Sequence, residues 1–172
     1  MKILDTERLI LRTIQISDAP FYLELLNTPE FIDNIGDRKI RTLKAARESI
    51  RNGPVAMQAL LGHSIYLVEL KAAGVPIGMS GLIKRDTLDD VDLGYAFLPR
   101  YCGQGYAREA ARAVLEHARR DIGLRRVVAI TSPGNEASNR VLAKVGMGFE
   151  KIVHLGAHDT GTNLYAITLG QK

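Results

Sequence analysis

The sequence predicts an α+β fold, a mixed sheet of about seven strands flanked by about four helices. Three features carry that reading. Short runs rich in β-branched and aliphatic residues, such as Ile65–Leu70 and Arg126–Thr131, have the length of strands rather than helices. Within residues 65–98 the strand-like runs follow one another across short polar links, as in a meander. After them, two segments with helical spacing of apolar residues each separate one strand from the next, as crossover helices do.

In chain order, Arg8–Arg12 reads as the first strand, and Ser17 as the cap of a helix that runs to about Asn27. Residues 28–40 read as loop-rich. Leu43–Asn52 reads as a second helix, with Gly53-Pro54 as its stop. Strands follow at Ile65–Leu70 and Val75–Lys84, and Thr87–Asp90 turns into a third at Asp92–Leu98. Arg108–Ile122 is the clearest helix. Ala110, Ala111, Val114 and Ala118 form its apolar stripe, the charged residues and His117 face the solvated side, and Gly123 terminates it. Arg126–Thr131 is the next strand. A helix opens at Asn135 and stops at Gly146, and strands at Phe149–Leu155 and Asn163–Leu169 close the chain.

A chain of 172 residues with 46% hydrophobic and 24% charged residues is read as one globular domain, residues 1–172. A net charge of +4 favours anionic ligands, but the basic residues are too dispersed for a nucleic-acid surface. No apolar run is long enough to span a bilayer, and Met1–Arg8 lacks the hydrophobic region of a secretory signal. One cysteine, Cys102, leaves no internal disulfide and suits a reducing compartment. The expectation is a cytoplasmic protein, monomer or homodimer, with no nucleic-acid or membrane partner.

The stretch Pro99-Arg-Tyr-Cys-Gly-Gln-Gly-Tyr-Ala107 carries the chemistry. It joins a strand to a helix through Gly103 and Gly105, which remove the side chains that would block a phosphate from the backbone. Free N–H groups there sit at the positive end of the helix dipole, where a phosphate or pyrophosphate is favoured. A Gly-rich connection without a ligand fits the glycines alone equally well. A dinucleotide fingerprint does not fit, because its third glycine would fall at Arg108, and the Gly-Lys-Ser/Thr ending of an NTPase loop does not occur. His63, His117, His154 and His158 have no metal-ligand spacing, so no metal is expected.

Arg100-x-x-Gly103-x-Gly105 after a strand and before a helix resembles the acetyl-CoA pyrophosphate loop of the GNAT N-acetyltransferases. Three further motifs are similar to the ribosomal-protein N-acetyltransferase (RimJ/RimL-like) branch. They are Thr6-Glu-Arg-Leu-Ile-Leu-Arg12, Leu93-Gly-Tyr95, and Asn135-x-x-Ser138-Asn-Arg-Val-Leu142 with Lys144-Val-Gly146. The order and spacing match over almost the whole chain.

The resemblance implies the GNAT fold, with its two central parallel strands splayed between Asp92–Leu98 and Arg126–Thr131. It implies acetyl-CoA as co-substrate. The backbone of Phe97 and Leu98 would pair with the pantetheine, and the amides of Cys102, Gly103, Gln104, Gly105, Tyr106 and Ala107 would hold the pyrophosphate. Arg100 and Arg108 would add positive charge, and Asn135 would bond the pantetheine. Asp92 is the candidate base, on a strand face it shares with the small residues Gly94 and Ala96, where a thioester and an amine would find room. It equally reads as the end of the polar turn with Asp89 and Asp90. Ser138 is the candidate acid for the thiolate and also a capping partner of Asn135; the tyrosine many relatives use falls here at Ala143. Tyr95, Tyr101 and Tyr106 read as packing, and Cys102 as a small loop filler, since no base for an acyl-cysteine is evident.

The implied activity is transfer of an acetyl group from acetyl-CoA to a primary amine, first a protein N-terminal α-amine, by direct attack in a ternary complex. A small amine such as an antibiotic or polyamine is the alternative, and a non-catalytic acyl-CoA-binding module or a nucleotide-binding domain are the others. Residues 28–41 and 155–163 are expected to wall the acceptor pocket.

Overall fold

The structure, a computed structural model, describes residues 1–170. Eight strands form one sheet in the order β1-β2-β3-β4-β5-β6-β8-β7. They are β1 (Lys2–Asp5), β2 (Leu9–Thr13), β3 (Ile65–Leu70), β4 (Val75–Ile83), β5 (Asp92–Phe97), β6 (Arg126–Thr131), β7 (Gly148–Val153) and β8 (Thr162–Thr168). Helices are α1 (Ala19–Leu26), α2 (Pro29–Asn34), α3 (Leu43–Ile50), α4 (Ala56–Leu61), α5 (Tyr106–His117) and α6 (Glu136–Lys144).

Every neighbouring pair is antiparallel except β5–β6. That parallel pair meets in register only at Asp92 and Val128, where the Val128 N–H donates to the Val91 carbonyl at 3.0 Å. Beyond this point the two strands part, so the sheet carries a gap that is closed at Asp92 and open toward Phe97. The splay implied by the resemblance is therefore present.

Three local departures from the sequence reading have physical causes. An eighth strand, β1, lies at the sheet edge on β2. Residues 28–40, read as loop, contain α2, because Thr28 accepts from the Phe31 N–H at 3.3 Å, Pro29 suits the first helical position, and Phe31 is buried. Gly53-Pro54 does not stop the second helix. The chain passes through a wide π-type turn, Arg51–Val55, which accommodates the donor that proline lacks. It continues as α4 to Gly62, whose φ of 75° ends it.

Each sheet face buries its own core. On one, α5 lays Ala110, Ala111 and Val114 against Leu9, Leu11, Tyr66, Leu82 and Leu93. On the other, α1 and α3 pack Phe21, Leu25 and Ile50 over Leu67, Met79 and Leu98. His117, expected on the solvated side of its helix, is a correction. It is 9% exposed, its Nδ1 lies 2.6 Å from Asp121 and its Nε2 lies 3.3 Å from the Tyr66 hydroxyl. Partners for both ring nitrogens make that burial tolerable. Among the described residues no helix is long and apolar enough to cross a membrane.

Candidate active site

The strand β5 ends in a tight turn at Pro99–Tyr101, closed by the Tyr101 N–H on the Leu98 carbonyl (2.9 Å) and the Cys102 N–H on the Pro99 carbonyl (3.1 Å). The chain then passes Gly103 (φ 76°) and Gly105 (φ 84°), and α5 begins at Tyr106. The first helical bond of this turn runs from the Glu109 N–H to the Gly105 carbonyl at 3.0 Å. Among the described residues, the amides of Gly103, Gln104, Gly105, Tyr106, Ala107 and Arg108 have no hydrogen-bond partner. The unspent row thus begins one residue after Cys102 and extends one residue past Ala107. A Cβ added at Gly103 would meet nothing within 4 Å, so the loop faces open space. These N–H groups, at the positive end of a helix of 12 residues, fit a pyrophosphate.

The N-terminal motif pins this loop. Glu109, in the first turn of α5, accepts from the Thr6 hydroxyl (2.7 Å), the Arg8 N–H (2.8 Å) and Arg8 Nε (2.7 Å). Desolvation pushes its carboxyl up, but these bonds outweigh it and hold Glu109 below the usual carboxylate value. Arg8 Nη1 also donates to the Gln104 carbonyl at 2.9 Å, its guanidinium lies 4.5 Å from the Tyr106 ring centre, and its Nη2 would lie 3.2 Å from a Cβ on Gly105. Arg8 is therefore the cation held against the loop, and the sequence reading gave it no role. Arg100 turns instead to Glu24 on α1 (2.8 Å), an exposed pair, while Arg108 is exposed on the first helical turn. Glu109→Gln is expected to lower stability by about 1.5 kcal/mol, the scale of hydrogen bonds to a charged group. A thermal melt and an acetyl-CoA titration check this: the variant melts lower and binds more weakly, because the loop loses its anchor.

Along β5 the backbone groups of alternate residues face opposite neighbours. The Leu98 N–H donates to the Ile77 carbonyl of β4 at 2.9 Å, and its carbonyl receives the Tyr101 N–H. Leu98 is thus engaged, and the N–H and carbonyl of Phe97 are the ones that face the gap. Asn135 caps α6, its Oδ1 accepting from the Ser138 N–H at 3.2 Å; among the described residues its Nδ2 has no partner.

Asp92 lies at the closed end of the gap and is 1% exposed. Its Oδ2 pairs with Arg85 Nε, and its buried Oδ1 has no hydrogen-bond partner among the described residues. Burial raises its carboxyl above the ordinary value, and Arg85 only partly offsets this. The open space expected beside Asp92 is a correction. A Cβ on Gly94 would meet Ile83 Cδ1 at 2.7 Å and Ile65 Cδ1 at 3.6 Å, because Ile83, opposite Asp92 on β4, leans over the glycine.

Ser138, in the first turn of α6, lies beside the other sheet face. Its Oγ is 2.7 Å from the Tyr95 hydroxyl, which also donates to the Ser138 carbonyl at 3.2 Å. Tyr95 packs against the α5 core as expected, but its hydroxyl has this further partner. Asp92 and Tyr95 are three apart on one strand, so the two candidate groups flank the gap from opposite faces. Cys102 has its thiol raised by partial burial and by Glu30, the opposite of an activated nucleophile. At the open end, Ser132 donates to the Asn34 carbonyl of α2 (3.3 Å), which brings residues 28–41 to the gap, while Asp159 ties the 155–162 turn together. Among the described residues no group of three or more His, Cys, Asp or Glu is placed to hold a metal ion.

Comparisons with known proteins agree with this geometry. Residues 8–148 match the family described as "Acetyltransferase (GNAT) domain". Two Bacillus subtilis relatives are similar to this chain: the uncharacterized protein YkkB, 31% identical over 86% of each chain, and the uncharacterized N-acetyltransferase YoaA, 28% identical over 96% of each. An acetyltransferase structure from Agrobacterium tumefaciens has a TM-score of 0.81 at 26% identity, covering 95% of this chain and 92% of that one. The ribosomal-protein alpha-N-acetyltransferase RimL in complex with coenzyme A (TM-score 0.83, 19% identity, 98% of both chains) shares the fold. So does the Vibrio cholerae spermidine N-acetyltransferase in complex with CoA and spermine (TM-score 0.79, 15% identity, 95% of this chain and 97% of that one). A sheet splayed beside a strand–glycine–helix turn, in a chain whose residues 8–148 match that family, is the architecture of an acyl-transfer enzyme, and the protein belongs to the GNAT acetyltransferases.

Proposed function

We propose that the enzyme transfers the acetyl group of acetyl-CoA to a protein N-terminal α-amine, with both substrates bound together. The observation that carries the cofactor reading is the row of unspent amides from Gly103 to Arg108 beside the pinned Arg8. The pyrophosphate would rest on that row. The pantetheine would enter the gap along Phe97, with the Asn135 amide as a donor, so that the thioester points along β5 toward the closed end and stops beside Tyr95. Holding an amine against the thioester supplies most of the rate by proximity and orientation.

The amine nitrogen attacks the carbonyl carbon, and the N–H of Tyr95, the gap-facing amide of β5 next to Phe97 on the Asp92 side, would donate to the oxyanion that forms. Asp92 accepts the proton that the amine loses, directly or through one water. The carbon–sulfur bond then breaks, with the Ser138 hydroxyl donating to the departing sulfur. That the base is the Asp92 carboxylate is what favours an α-amine. Even raised by burial, a carboxylate held by a guanidinium is a modest base, suited to an α-ammonium of pKa about 7.7–8.0 rather than a lysine of about 10.4.

An acetylation panel of N-terminal peptides, polyamines and aminoglycosides, read by mass, tests this. The expected result is a gain of one acetyl group on the α-amine of peptides, with thiol release. Acetylation of polyamines or aminoglycosides with none on peptides would overturn the acceptor while leaving the acetyl-CoA reading in place.

A further inference from the structure

We propose that Tyr95 is a positioning residue for departure of the CoA thiolate: it holds the Ser138 hydroxyl so that this hydroxyl donates to the sulfur. The proposal rests on the reading of Ser138 as the donor to the sulfur.

Tyr95 leaves β5 in the middle of the segment where β5 and β6 no longer pair. It crosses to the first turn of α6 and makes two contacts with one residue, 2.7 Å to the Ser138 hydroxyl and 3.2 Å to the Ser138 carbonyl. Asn135 holds the N–H of the same residue. Ser138 is thus tied from β5 through its hydroxyl and carbonyl, and from the helix cap through its amide. Where sheet hydrogen bonds are missing, this contact sets the distance between the strand and the helix that flank the gap.

A hydroxyl has one proton to donate. With no sulfur beside it, the pair is satisfied when Tyr95 donates to the Ser138 carbonyl and Ser138 donates to the Tyr95 oxygen. With a thiolate present, both hydroxyls turn. Tyr95 donates to Ser138 Oγ, and Ser138 donates to the sulfur. Two hydroxyls in series polarise one another, which strengthens the outer bond. Neither loses its proton, since the bond that breaks is carbon–sulfur and the thiolate takes its proton from solvent. Burial pushes the Tyr95 phenol up to about 12, despite the Ser138 bond, so at neutral pH it remains a donor.

The test reads bound CoA itself and needs no acceptor. The thiolate of CoA is titrated by its ultraviolet absorbance in complexes with wild type, Tyr95→Phe, Ser138→Ala and the double variant. A titration of CoA reports affinity in parallel. Tyr95→Phe keeps the packed ring, and Ser138→Ala keeps the amide that Asn135 caps. The expected result is a thiol pKa raised by about one unit in each single variant, a tenfold loss of thiolate stabilisation, with the double variant no higher than either single and CoA affinity unchanged. A shift in Ser138→Ala with none in Tyr95→Phe overturns the role of Tyr95 and leaves that of Ser138 standing. Additive shifts also overturn it, because Tyr95 would then act without Ser138. No shift in any variant overturns both.

Discussion

Gly105→Glu is expected to raise the Kd for acetyl-CoA about 100-fold or more, a loss of about 2.8 kcal/mol. Two effects combine. The new carboxylate would project into the row of amides proposed to hold the pyrophosphate, opposing its charge. The backbone at Gly105 has φ of 84°, a conformation that costs an L-residue about 1–2 kcal/mol, and the new Cβ would sit 3.2 Å from Arg8 Nη2. Gly105→Ala carries the strain without the charge and separates the two, with an expected loss of about tenfold in affinity. Calorimetric titration checks both variants. Wild-type affinity in Gly105→Glu would mean that the diphosphate binds elsewhere.

Asp92→Asn is expected to lower kcat at neutral pH by about 100-fold or more, the scale of a lost general base, with the Kd for acetyl-CoA unchanged. The wild-type rate should fall as pH drops through the raised pKa of Asp92, because only the ionised carboxylate accepts a proton. That acid limb should vanish in the variant. Stability moves the other way. Folded Asp92 holds its proton more tightly than the unfolded chain does, so its contribution to stability falls as pH rises from the ordinary carboxylate value through the raised one. Above that window the ionised, buried carboxylate is a standing cost. Asn removes it, and Arg85, whose side chain is 28% exposed, turns to water. At neutral pH the variant should therefore melt no lower than wild type while turning over far more slowly. A pH–rate profile unchanged by the substitution would remove Asp92 from the reaction.

The loop and the helix after it are legible because their signals are local. Two glycines, an apolar stripe from Ala110 to Ala118 and a stop at Gly123 lie within about two dozen residues. The meander and the crossover helices are legible for the same reason. What escaped depends on pairs far apart in the chain. β1 has only Ile3 and Leu4 to mark it and exists because β2 offers an edge. The helix across Gly53-Pro54 survives because Ala46 and Ile50 are buried against α1, which outweighs a local breaker. His117 carried a usable signal, since it falls three residues after Val114 on the buried stripe, but its polarity suggested the surface.

The candidate site divides in the same way. The row of amides follows from the turn, but the cation beside it comes from Arg8, 97 positions before Gly105, and the Tyr95–Ser138 contact spans 43 positions. That Leu98 is spent on Ile77, and that Ile83 covers Gly94, follow from the register of β4 on β5, which no single strand reveals.

The most direct measurement is an amide ¹H–¹⁵N spectrum of the protein recorded as coenzyme A is added. If the exposed peptide hydrogens at the start of α5 cradle the diphosphate, the Gly103–Arg108 resonances should move downfield more than any others and saturate at one equivalent. Saturation binding that leaves those resonances in place while another group of amides moves would contradict the assignment.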